Sequence, residues 1–324
     1  MDALVTTLKA LAHGERLRIL ALLSHGELTV SELTEILGLS QPRVTQYIKA
    51  LEGAGIIERL KEGSWVFSRL KRGQAGVSAL VATTLAVLPE GEVRLAADRR
   101  RLDDIRARRA EVARAFFADV ANDRGQLGDE FLPQRDIEAA IIDSLGEGPL
   151  GRLVDLGTGT GRMLTLLAER VERGIGLDTS PDMLRVARHR LGERPHLELR
   201  QGDLQAAPLE PGSADLATLH QVLHYLDEPG DAIGEAARLL APGGRLLVVD
   251  FATHAREEFR DAYAHRRLGF SDAEIACALA ERGLDMETTR TVRAPNRPDV
   301  KIWLGRKPVC RPAAREPVRK EIKA

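Results

Sequence analysis

The chain has 324 residues, which is enough for two domains of roughly 100–200 residues each. Hydrophobic residues make up 44% and charged residues 29% of the sequence, an ordinary globular balance. The 47 Lys and Arg residues nearly cancel the 48 Asp and Glu residues, and the formal charge of −1 excludes a basic coat over the whole protein.

Disulfide, zinc and membrane signals are weak in this sequence. Its two cysteines, Cys277 and Cys310, are too few for a disulfide framework or a four-cysteine zinc site. Polar residues interrupt the first twenty positions, and the apolar residues 79–88 are too short to span a bilayer. We expect a soluble, cytoplasmic protein of a reducing compartment, with no membrane partner and no metal site.

The first 70 residues show short helices followed by a hairpin. Leucine and isoleucine recur at helical spacing through residues 17–37, and a further helix begins at Ser40. Two alternating segments, Ile56–Lys61 and Trp65–Leu70, are predicted strands joined by a turn at Glu62-Gly63. Three helices and then a β-hairpin is the order of a winged helix-turn-helix domain.

Two further helices are predicted before the second domain. Ala75–Leu88 is apolar and ends at Pro89, and residues 94–114 hold eight arginines and four acids. We expect this second stretch to be a long exposed helix whose charges form a solvated face with i,i+4 pairs, rather than a DNA-contacting arm. At the other end of the chain, the segment from Lys307 holds three prolines among mixed charges and is expected to be disordered.

From Gly151 the pattern changes to short strands separated by amphipathic helices. That alternation is typical of a parallel sheet covered by helices on both faces, so an α/β, doubly wound domain is predicted. The predicted strands are Arg152–Leu156, Gly174–Asp178, Leu197–Gln201, Ala214–His220 and Arg245–Phe251.

A glycine-rich turn, Gly157-Thr158-Gly159-Thr160-Gly161, follows the first of these strands and opens a helix. Glycine lets the backbone turn tightly and lets a ligand approach closely. The G-x-G-x-G spacing differs from the G-x-G-x-x-G of dinucleotide-binding proteins. Asp155, just before the glycines, would sit badly beside a pyrophosphate but suits a ligand with an ammonium or sulfonium centre.

Two further carboxylates end the next strands. Asp178, 21 residues after the first glycine, could accept hydrogen bonds from both ribose hydroxyls of a nucleoside lying over the sheet edge. Asp203 ends the following strand, where an adenine amino group would need an acceptor. Together with Asp215–Tyr225 and Leu239–Asp250, this ordered series resembles the class I S-adenosylmethionine-dependent methyltransferases over residues 151–306.

The resemblance implies a Rossmann-like sheet of seven strands, with S-adenosylmethionine as methyl donor and S-adenosylhomocysteine as product. Two antiparallel edge strands of that fold fit Asp285–Arg293 and Asp299–Arg306. The implied ligand contacts are Asp155, Gly157, Thr158, Gly159 and Gly161 at the methionine part, Asp178, Thr179 and Met183 at the ribose, Asp203 and Leu204 at the adenine, and His220 and Gln221 at the methyl, with Leu156 and Gly202 completing the set.

The residues after the fourth strand exclude some classes of methyl acceptor. Amino-methylating DNA enzymes carry an Asn/Asp-Pro-Pro-aromatic run there, whereas this chain has Leu219-His220-Gln221-Val222. Neither cysteine follows a proline, as cytosine-C5 enzymes require, and two cysteines are too few for arsenite methylation. A small molecule is therefore the expected acceptor.

Three histidines, His224, His254 and His265, are the candidate catalytic acid or base groups, and a structural role is open for each. Two arginines follow the last of them. Arg266 or Arg267 could hold an anionic acceptor, or both could belong to an ion-paired helix start with Ser271 as its N-cap.

The N-terminal segments, including Leu11–Leu20 and the helix from Ser40, resemble the ArsR/SmtB winged-helix repressors over about residues 4–88. In that family the second helix of the motif enters the major groove of double-stranded DNA. The helix Ala75–Leu88 would pair with the first helix across a homodimer. Residues 1–72 hold ten Lys and Arg against eight Asp and Glu, a weak positive charge for DNA. The implied DNA contacts are Gln41, Arg43, Thr45, Gln46, Lys49 and Lys61.

The family's metal sensors carry cysteines in the segment that here holds Thr29 and Ser31. Hydroxyls are poor ligands for soft metals, so a metal-sensing role is not expected. The expected domains are a winged helix-turn-helix at 1–75, a dimer helix and arginine-rich linker at 76–125, a methyltransferase domain at 126–306 and a disordered tail at 307–324.

Three interpretations stay open at this point. The chain could be a DNA-binding regulator with an active small-molecule methyltransferase domain. It could be a non-catalytic sensor of S-adenosylmethionine or S-adenosylhomocysteine that controls DNA binding. It could also be an enzyme that uses the winged helix only for dimerisation.

Overall fold

The structure, a computed structural model, describes residues 2–62, 65–71, 75–89, 91–122 and 133–309. Its N-terminal part is helical with a small antiparallel sheet, in the strand order β1-β3-β2. The elements in chain order are α1 (Asp2–Leu11), α2 (Gly14–Leu23), β1 (Leu28–Thr29), α3 (Val30–Leu37), α4 (Gln41–Gly53), β2 (Ile57–Glu62), β3 (Trp65–Leu70) and α5 (Ala75–Ala86).

Local sequence signals set the ends of the N-terminal helices. Thr29 caps α3 in a capping box with Glu32, and Gly38 ends that helix in the left-handed conformation. Helix α4 begins at Gln41 after Ser40, as the sequence predicts. The predicted hairpin is present as β2 and β3, while the short strand β1 was not predicted because two residues show no periodicity.

The arginine-rich stretch lies within one long helix, α6 (Val93–Asn122). Most of its described arginines are exposed, as the sequence predicts, but the expected i,i+4 pairing is wrong for most of them. Leu102 and Ile105 are buried against the winged-helix core, and only the pair Arg99–Asp103 has the i,i+4 spacing. Other arginines of α6 reach carboxylates on both sides of the helix, as Arg109 does with Glu32 and Asp227. The helix therefore connects two domains through charged contacts.

The C-terminal part is a seven-stranded sheet flanked by helices, which confirms the predicted α/β doubly wound class. Its strand order is β6-β5-β4-β7-β8-β10-β9. The elements are α7 (Gln134–Leu145), β4 (Gly151–Leu156), α8 (Arg162–Leu167), β5 (Val171–Asp178), α9 (Pro181–Leu191), β6 (Leu197–Gln201), β7 (Ala214–His220), α10 (Pro229–Leu239), β8 (Leu240–Phe251), α11 (Glu258–Tyr263), α12 (Asp272–Glu281), β9 (Asp285–Val292) and β10 (Val300–Arg306).

The sheet is parallel from β6 to β8, and its two apolar faces are covered by two separate hydrophobic clusters. Strand β10 is inserted between β8 and β9 and runs antiparallel to both. Because parallel strands share one direction, the carboxyl ends of β4, β5, β7 and β8 all meet at one edge of the sheet. That edge carries most of the predicted site residues.

Across the described ranges, no helix combines the length and the apolar character that crossing a membrane would need. Most of the predicted disordered tail, including Cys310, lies outside the described residues. The expected domain boundaries stay predictions.

Candidate functional site

The glycine-rich turn after β4 lies against the end of β5. The amides of Gly157 and Thr158 both donate to the carbonyl of Leu177, at 2.9 and 2.8 Å. Gly157 has a φ of +76°, and a Cβ there would lie 2.6 Å from the side chain of Val222. Gly159 also has a positive φ, but a Cβ there would meet nothing within 4 Å. The turn therefore presents bare backbone to open space, where a ligand could approach.

Asp178, at the end of β5, closes the other side of this turn. One carboxylate oxygen accepts from the amide of Gly159 and the other from the amide of Ser180, each at 2.8 Å. Burial raises the pKa of Asp178, and the backbone donors oppose that rise. The carboxylate thus holds the turn and the start of α9 together at the sheet edge.

Asp155 lies beneath the turn and is only 1% exposed. Its two oxygens accept from the hydroxyls of Thr158 and Thr218, each at 2.6 Å, and burial raises its pKa to about 6. In the structure this carboxylate ties the turn to the neighbouring strand β7. Its contact with a ligand's ammonium group stays a prediction.

The other predicted ligand contacts lie along the same edge, but they differ in exposure. The side chains of Leu156, Met183 and Leu204 are buried, whereas Thr179 and Asp203 are exposed. The backbone following β6 is tied to the end of β5, because the amide of Gly202 donates to the carbonyl of Asp178 at 3.0 Å. These positions are adjacent in space, as the sequence order predicts, and their ligand roles stay predictions.

Gln221 follows β7 in a strained backbone conformation. Its φ is +55°, which is unusual for a residue with a side chain, and its amide donates to the carbonyl of Val249 at 2.7 Å. Its side-chain Nε2 is buried and has no hydrogen-bond partner among the described residues. Strain of about 1–3 kcal/mol is typically retained at functional positions. The neighbouring His220 has a pKa lowered to about 4 by burial.

His224 lies in the turn after β7 and forms a buried pair with Asp250, the penultimate residue of β8. The distance between His224 Nδ1 and Asp250 Oδ1 is 2.6 Å. The Nε2 atom of the same imidazole has no partner among the residues described. Sequence reasoning did not select Asp250 as a site residue, although a charge at the end of an apolar buried strand is a detectable signal.

The three candidate histidines come together around one phenylalanine. The ring of Phe251 lies 5.2 Å from His224, 5.3 Å from His265 and 6.0 Å from His254, centroid to centroid. Burial lowers the pKa of His265, and it lowers that of His254 to about 4, so both are neutral at pH 7. Within the described part of the chain, no cluster of three or more His, Cys, Asp or Glu side chains could hold a metal ion.

Arg266 and Arg267 form ion pairs that reach the winged-helix domain. Arg267 lies 2.9 Å from Glu27 and Arg266 lies 3.9 Å from Glu32, both in the winged-helix domain, and Arg266 also lies 2.5 Å from Asp227 of its own domain. These contacts correspond to the structural alternative rather than to an anion-binding site. Ser271 caps α12 as that alternative expects. Sequence reasoning missed the partners because they lie far away along the chain.

The predicted DNA-contacting residues lie mainly on α4. Five of the six, including Lys61 on β2, are exposed, and Thr45 is half-buried. Arg43, Lys49 and Lys61 have no ion pair among the described residues, whereas Arg59 is paired with Glu52 at 3.0 Å. The four exposed helix residues are Gln41, Arg43, Gln46 and Lys49.

Thr29 has a structural function at the position where metal sensors carry a cysteine. Its hydroxyl accepts from the amide of Glu32 at 3.2 Å, and the Glu32 carboxylate accepts from the amide of Thr29 at 2.9 Å. Both groups are engaged in capping a helix.

Two family models match separate parts of the chain. Residues 13–59 match a bacterial regulatory protein model of the arsR family, and residues 154–248 match a methyltransferase domain model. The first covers α2 to β2, and the second covers the sheet edge with the glycine-rich turn.

Curated relatives match parts of the chain. A demethylmenaquinone methyltransferase of Renibacterium salmoninarum is 31% identical over 51% of this chain and 65% of its own length. A 2-phytyl-1,4-naphtoquinone methyltransferase of Thermosynechococcus vestitus is 38% identical over 34% of this chain and 52% of its own length. An uncharacterized transposon protein of Streptomyces fradiae is 39% identical over 35% of this chain and 34% of its own length. The chain spans from one third to two thirds of these relatives.

Solved structures confirm the fold. A chain from the Haloferax volcanii complex between the Trm112 methyltransferase activator and a protein described as a methyltransferase superposes with a TM-score of 0.53. Their sequences are 21% identical, and the match covers 61% of this chain and 99% of that chain. The polypeptide thus joins an arsR-family helix-turn-helix domain, at residues 13–59, to a Rossmann-like methyltransferase domain, at residues 154–248.

Proposed function

We propose that the C-terminal domain transfers a methyl group from S-adenosylmethionine to a small-molecule acceptor. The observation that carries this proposal is the pairing of a bare glycine turn with the half-buried carboxylate of Asp178 at one sheet edge. When bound, S-adenosylmethionine supplies an electrophilic methyl group on a sulfonium centre.

The residues at the edge fit such a ligand. The open space at Gly159 admits the methionine part, and Asp178 keeps acceptor capacity beyond its two backbone contacts because a carboxylate accepts about four hydrogen bonds. Asp203 is exposed beside this edge and can accept from the adenine amino group. Asp155 adds negative charge below the turn.

The acceptor would lie beyond the end of β7, next to Gln221 and His224. The side-chain amide of Gln221, which has no hydrogen-bond partner among the described residues, can donate to a polar group of the acceptor and orient it. Asp250 orients the imidazole of His224, and Nε2 can then take the acceptor's proton as the methyl group moves. Holding the two reacting atoms in line supplies much of the rate in such a transfer.

Calorimetric titration with S-adenosylhomocysteine tests the cofactor assignment. We expect a Kd in the micromolar range, about −8 kcal/mol. Asp178→Ala should weaken binding by about 1.5–3 kcal/mol, since it removes charge-assisted hydrogen bonds. The matched control is Glu198→Ala, which removes a carboxylate paired with Arg173 and Arg200 at the surface of the same sheet. If the wild type shows no binding, the cofactor assignment fails.

We infer further that the N-terminal domain binds double-stranded DNA as a homodimer and regulates transcription. The support is the arsR-family match together with exposed cations on α4 and β2 that have no ion pair among the described residues. Exposed Leu4, Val5 and Leu8 on α1 give the dimer an apolar surface. If the domains are coupled, S-adenosylmethionine or S-adenosylhomocysteine should change operator affinity by about 5–150-fold. Anisotropy titrations on the protein's own promoter, with and without each ligand, measure that change.

A sensor without turnover is the second candidate, and the burial of the acceptor-side histidines favours it. His224 is only 1% exposed, so an acceptor reaches its Nε2 only if neighbouring side chains move. Incubation with S-adenosylmethionine and candidate metabolites, chosen by thermal shift, separates the two. Formation of S-adenosylhomocysteine supports the enzyme, and a ligand effect on DNA affinity without it supports the sensor.

A further inference from the structure

The backbone of the segment His265–Arg267 is attached directly to His224. The amides of Arg266 and Arg267 both donate to the carbonyl of His224, at 2.9 and 3.0 Å. The ring of His265 lies 4.0 Å from the ring of His224, centroid to centroid. The position of this segment therefore helps to set both the backbone and the packing of the His224 imidazole.

The two arginine side chains of the same segment extend from the methyltransferase domain and contact the winged-helix domain. Arg267 donates to the carboxylate of Glu27 at 2.9 Å, and Arg266 donates to the carbonyl of the same residue at 3.1 Å. The guanidinium of Arg266 also lies 5.5 Å from the ring centre of Phe67, in β3. One residue of the winged-helix domain thus contacts both arginines.

These contacts are buried, so the loss of one partner is expected to disturb the structure more than the loss of an exposed contact would. Glu27 is 9% exposed and Arg267 is 4% exposed. Burial lowers the pKa of Arg266 to about 10, against the opposing effect of Asp227, Glu32 and Glu27. Removal of one partner from a buried ion pair is strongly unfavourable, because the remaining charge loses compensation. Loss of the Glu27 carboxylate leaves Arg267 with Glu274, at 3.2 Å and 30% exposed, and should therefore draw the guanidinium towards solvent and the segment away from His224.

We propose that Glu27 of the winged-helix domain is a positioning residue for the acceptor side of the methyltransferase site. It acts through Arg266 and Arg267, which fix His265 and the carbonyl of His224. The proposal rests on the proposed methyl-transfer function for its catalytic meaning. It makes the winged-helix domain part of the framework that shapes the acceptor side.

Histidine modification tests this link in the full-length protein without any need for an acceptor. Diethyl pyrocarbonate carbethoxylates neutral imidazole nitrogen when solvent reaches it, and peptide mass spectrometry assigns each site. In the wild type, His224 and His265 should react slowly because both are buried. Glu27→Ala should speed the reaction of both by about tenfold or more, through easier local opening.

The matched control is Glu58→Ala. Glu58 pairs with Arg69 at 2.6 Å, as Glu27 does at 3.2 Å, but its described ion pair stays within the winged-helix domain. This variant should leave the two histidines protected. If circular dichroism shows that Glu27→Ala unfolds the domain, the experiment uses Glu27→Gln instead, because this substitution keeps the shape of the side chain and removes its charge. Wild-type reaction rates in a folded Glu27 variant overturn the proposal.

A double-mutant cycle tests whether Glu27 acts through Arg267. Each single substitution to alanine should expose the histidines, and the double variant should react no faster than the faster single variant. Independent, multiplying effects would contradict action through that arginine. Here the readout is the rate constant for carbethoxylation of His265.

Cofactor binding separates this inference from the proposed function. Glu27→Ala should bind S-adenosylhomocysteine with the wild-type Kd, because the segment is attached at His224 whereas the expected cofactor contacts are at Asp178 and the glycine turn. Once an acceptor is found, the kcat of Glu27→Ala with that acceptor should be lower than that of the wild type, while its KM for S-adenosylmethionine should be unchanged. A wild type that does not bind S-adenosylhomocysteine refutes the proposed function, and the protection of His224 by Glu27 is still decided by the modification rates.

Discussion

The Nδ1 atom of His224 lies 2.6 Å from the Oδ1 atom of Asp250, and the second oxygen of Asp250 accepts from the amide of Leu223 at 3.0 Å. The carboxylate is therefore held on both sides, and its orientation is fixed before any ligand binds. A carboxylate on one imidazole nitrogen selects the tautomer and leaves the other nitrogen available to a substrate.

We predict that His224→Gln lowers kcat by about 10²–10⁴-fold, the usual contribution of a general base. Asp250→Asn should also lower kcat, because an amide no longer selects the tautomer. Neither change should alter the Kd for S-adenosylhomocysteine. The matched control is the exposed His189→Gln on α9, and measurement of S-adenosylhomocysteine formation decides. An undiminished kcat in His224→Gln would remove the histidine from the reaction.

Gln221 is expected to lower the stability of the fold while it supports methyl transfer. Gln221→Gly relieves a positive φ and should stabilise the protein by about 0.5–1 kcal/mol in urea unfolding, yet lower methyl transfer through loss of the side-chain amide. Asn296→Gly relieves a φ of +63° in another loop and should leave transfer unchanged. Loss of stability in Gln221→Gly would show that the conformation is not strained.

The raised pKa of Asp155 predicts how the free energy of unfolding depends on pH. Burial raises its folded-state pKa to about 6, above its ordinary value of 3.8, so the folded state holds the proton more tightly than the unfolded state. The stability from this group is complete below about pH 3.8 and is lost as the pH rises through about 6. Asp155→Asn, which is neutral throughout, should be more stable than the wild type at pH 7.5, by about 3 kcal/mol at most.

Denaturant unfolding at pH 4.5 and 7.5 measures the Asp155 effect. The advantage of the variant should shrink at the lower pH, since the wild-type carboxyl group is then largely protonated. The variant Asp215→Asn serves as a comparison: because Arg152 lowers the pKa of that carboxyl group, it is ionised at both pH values and its variant should differ from the wild type by nearly the same amount at each. If the wild type and Asp155→Asn have equal free energies of unfolding at both pH values, the raised pKa of Asp155 is contradicted.

Binding to DNA should depend on the unpaired cations of α4. Arg43→Ala and Lys49→Ala should weaken binding and each reduce the slope of log K against log salt by about one unit. Arg59→Ala should have a smaller effect, since Glu52 already neutralises that side chain. Anisotropy at several salt concentrations measures the slopes. Equal slopes for all three variants and the wild type would place the DNA elsewhere.

Local patterns predicted much of the fold. The strands Leu197–Gln201 and Ala214–His220 were predicted with their observed bounds, because alternation and flanking turn residues define short strands well. The glycine turn and the end of β5 were also predicted next to each other, since parallel strands bring their carboxyl ends to one edge. These features depend on neighbours in the sequence or on a single topological rule.

Long-range charge pairing could not be predicted in the same way. Arg267 and Glu27 are 240 residues apart, and neither position carries a periodic signal that names its partner. The arginines of α6 illustrate the same limit, because a charged helix surface has the same sequence whether water or another domain faces it. Asp250 differs from these, since a charged residue directly after the apolar residues 246–249 of β8 was a signal available in the sequence, although Asp250 was not predicted as a site residue.

The continuity of α6 restricts how the distance between the two domains can change in evolution. Each residue added to an α-helix turns everything beyond it by about 100° and advances it by about 1.5 Å. A single insertion before Arg109 would swing that side chain away from Glu32 and Asp227, and only insertions near whole helical turns would restore its angular phase. Homologous linkers that keep these ion pairs should therefore vary in length by steps of seven or eleven residues rather than one at a time.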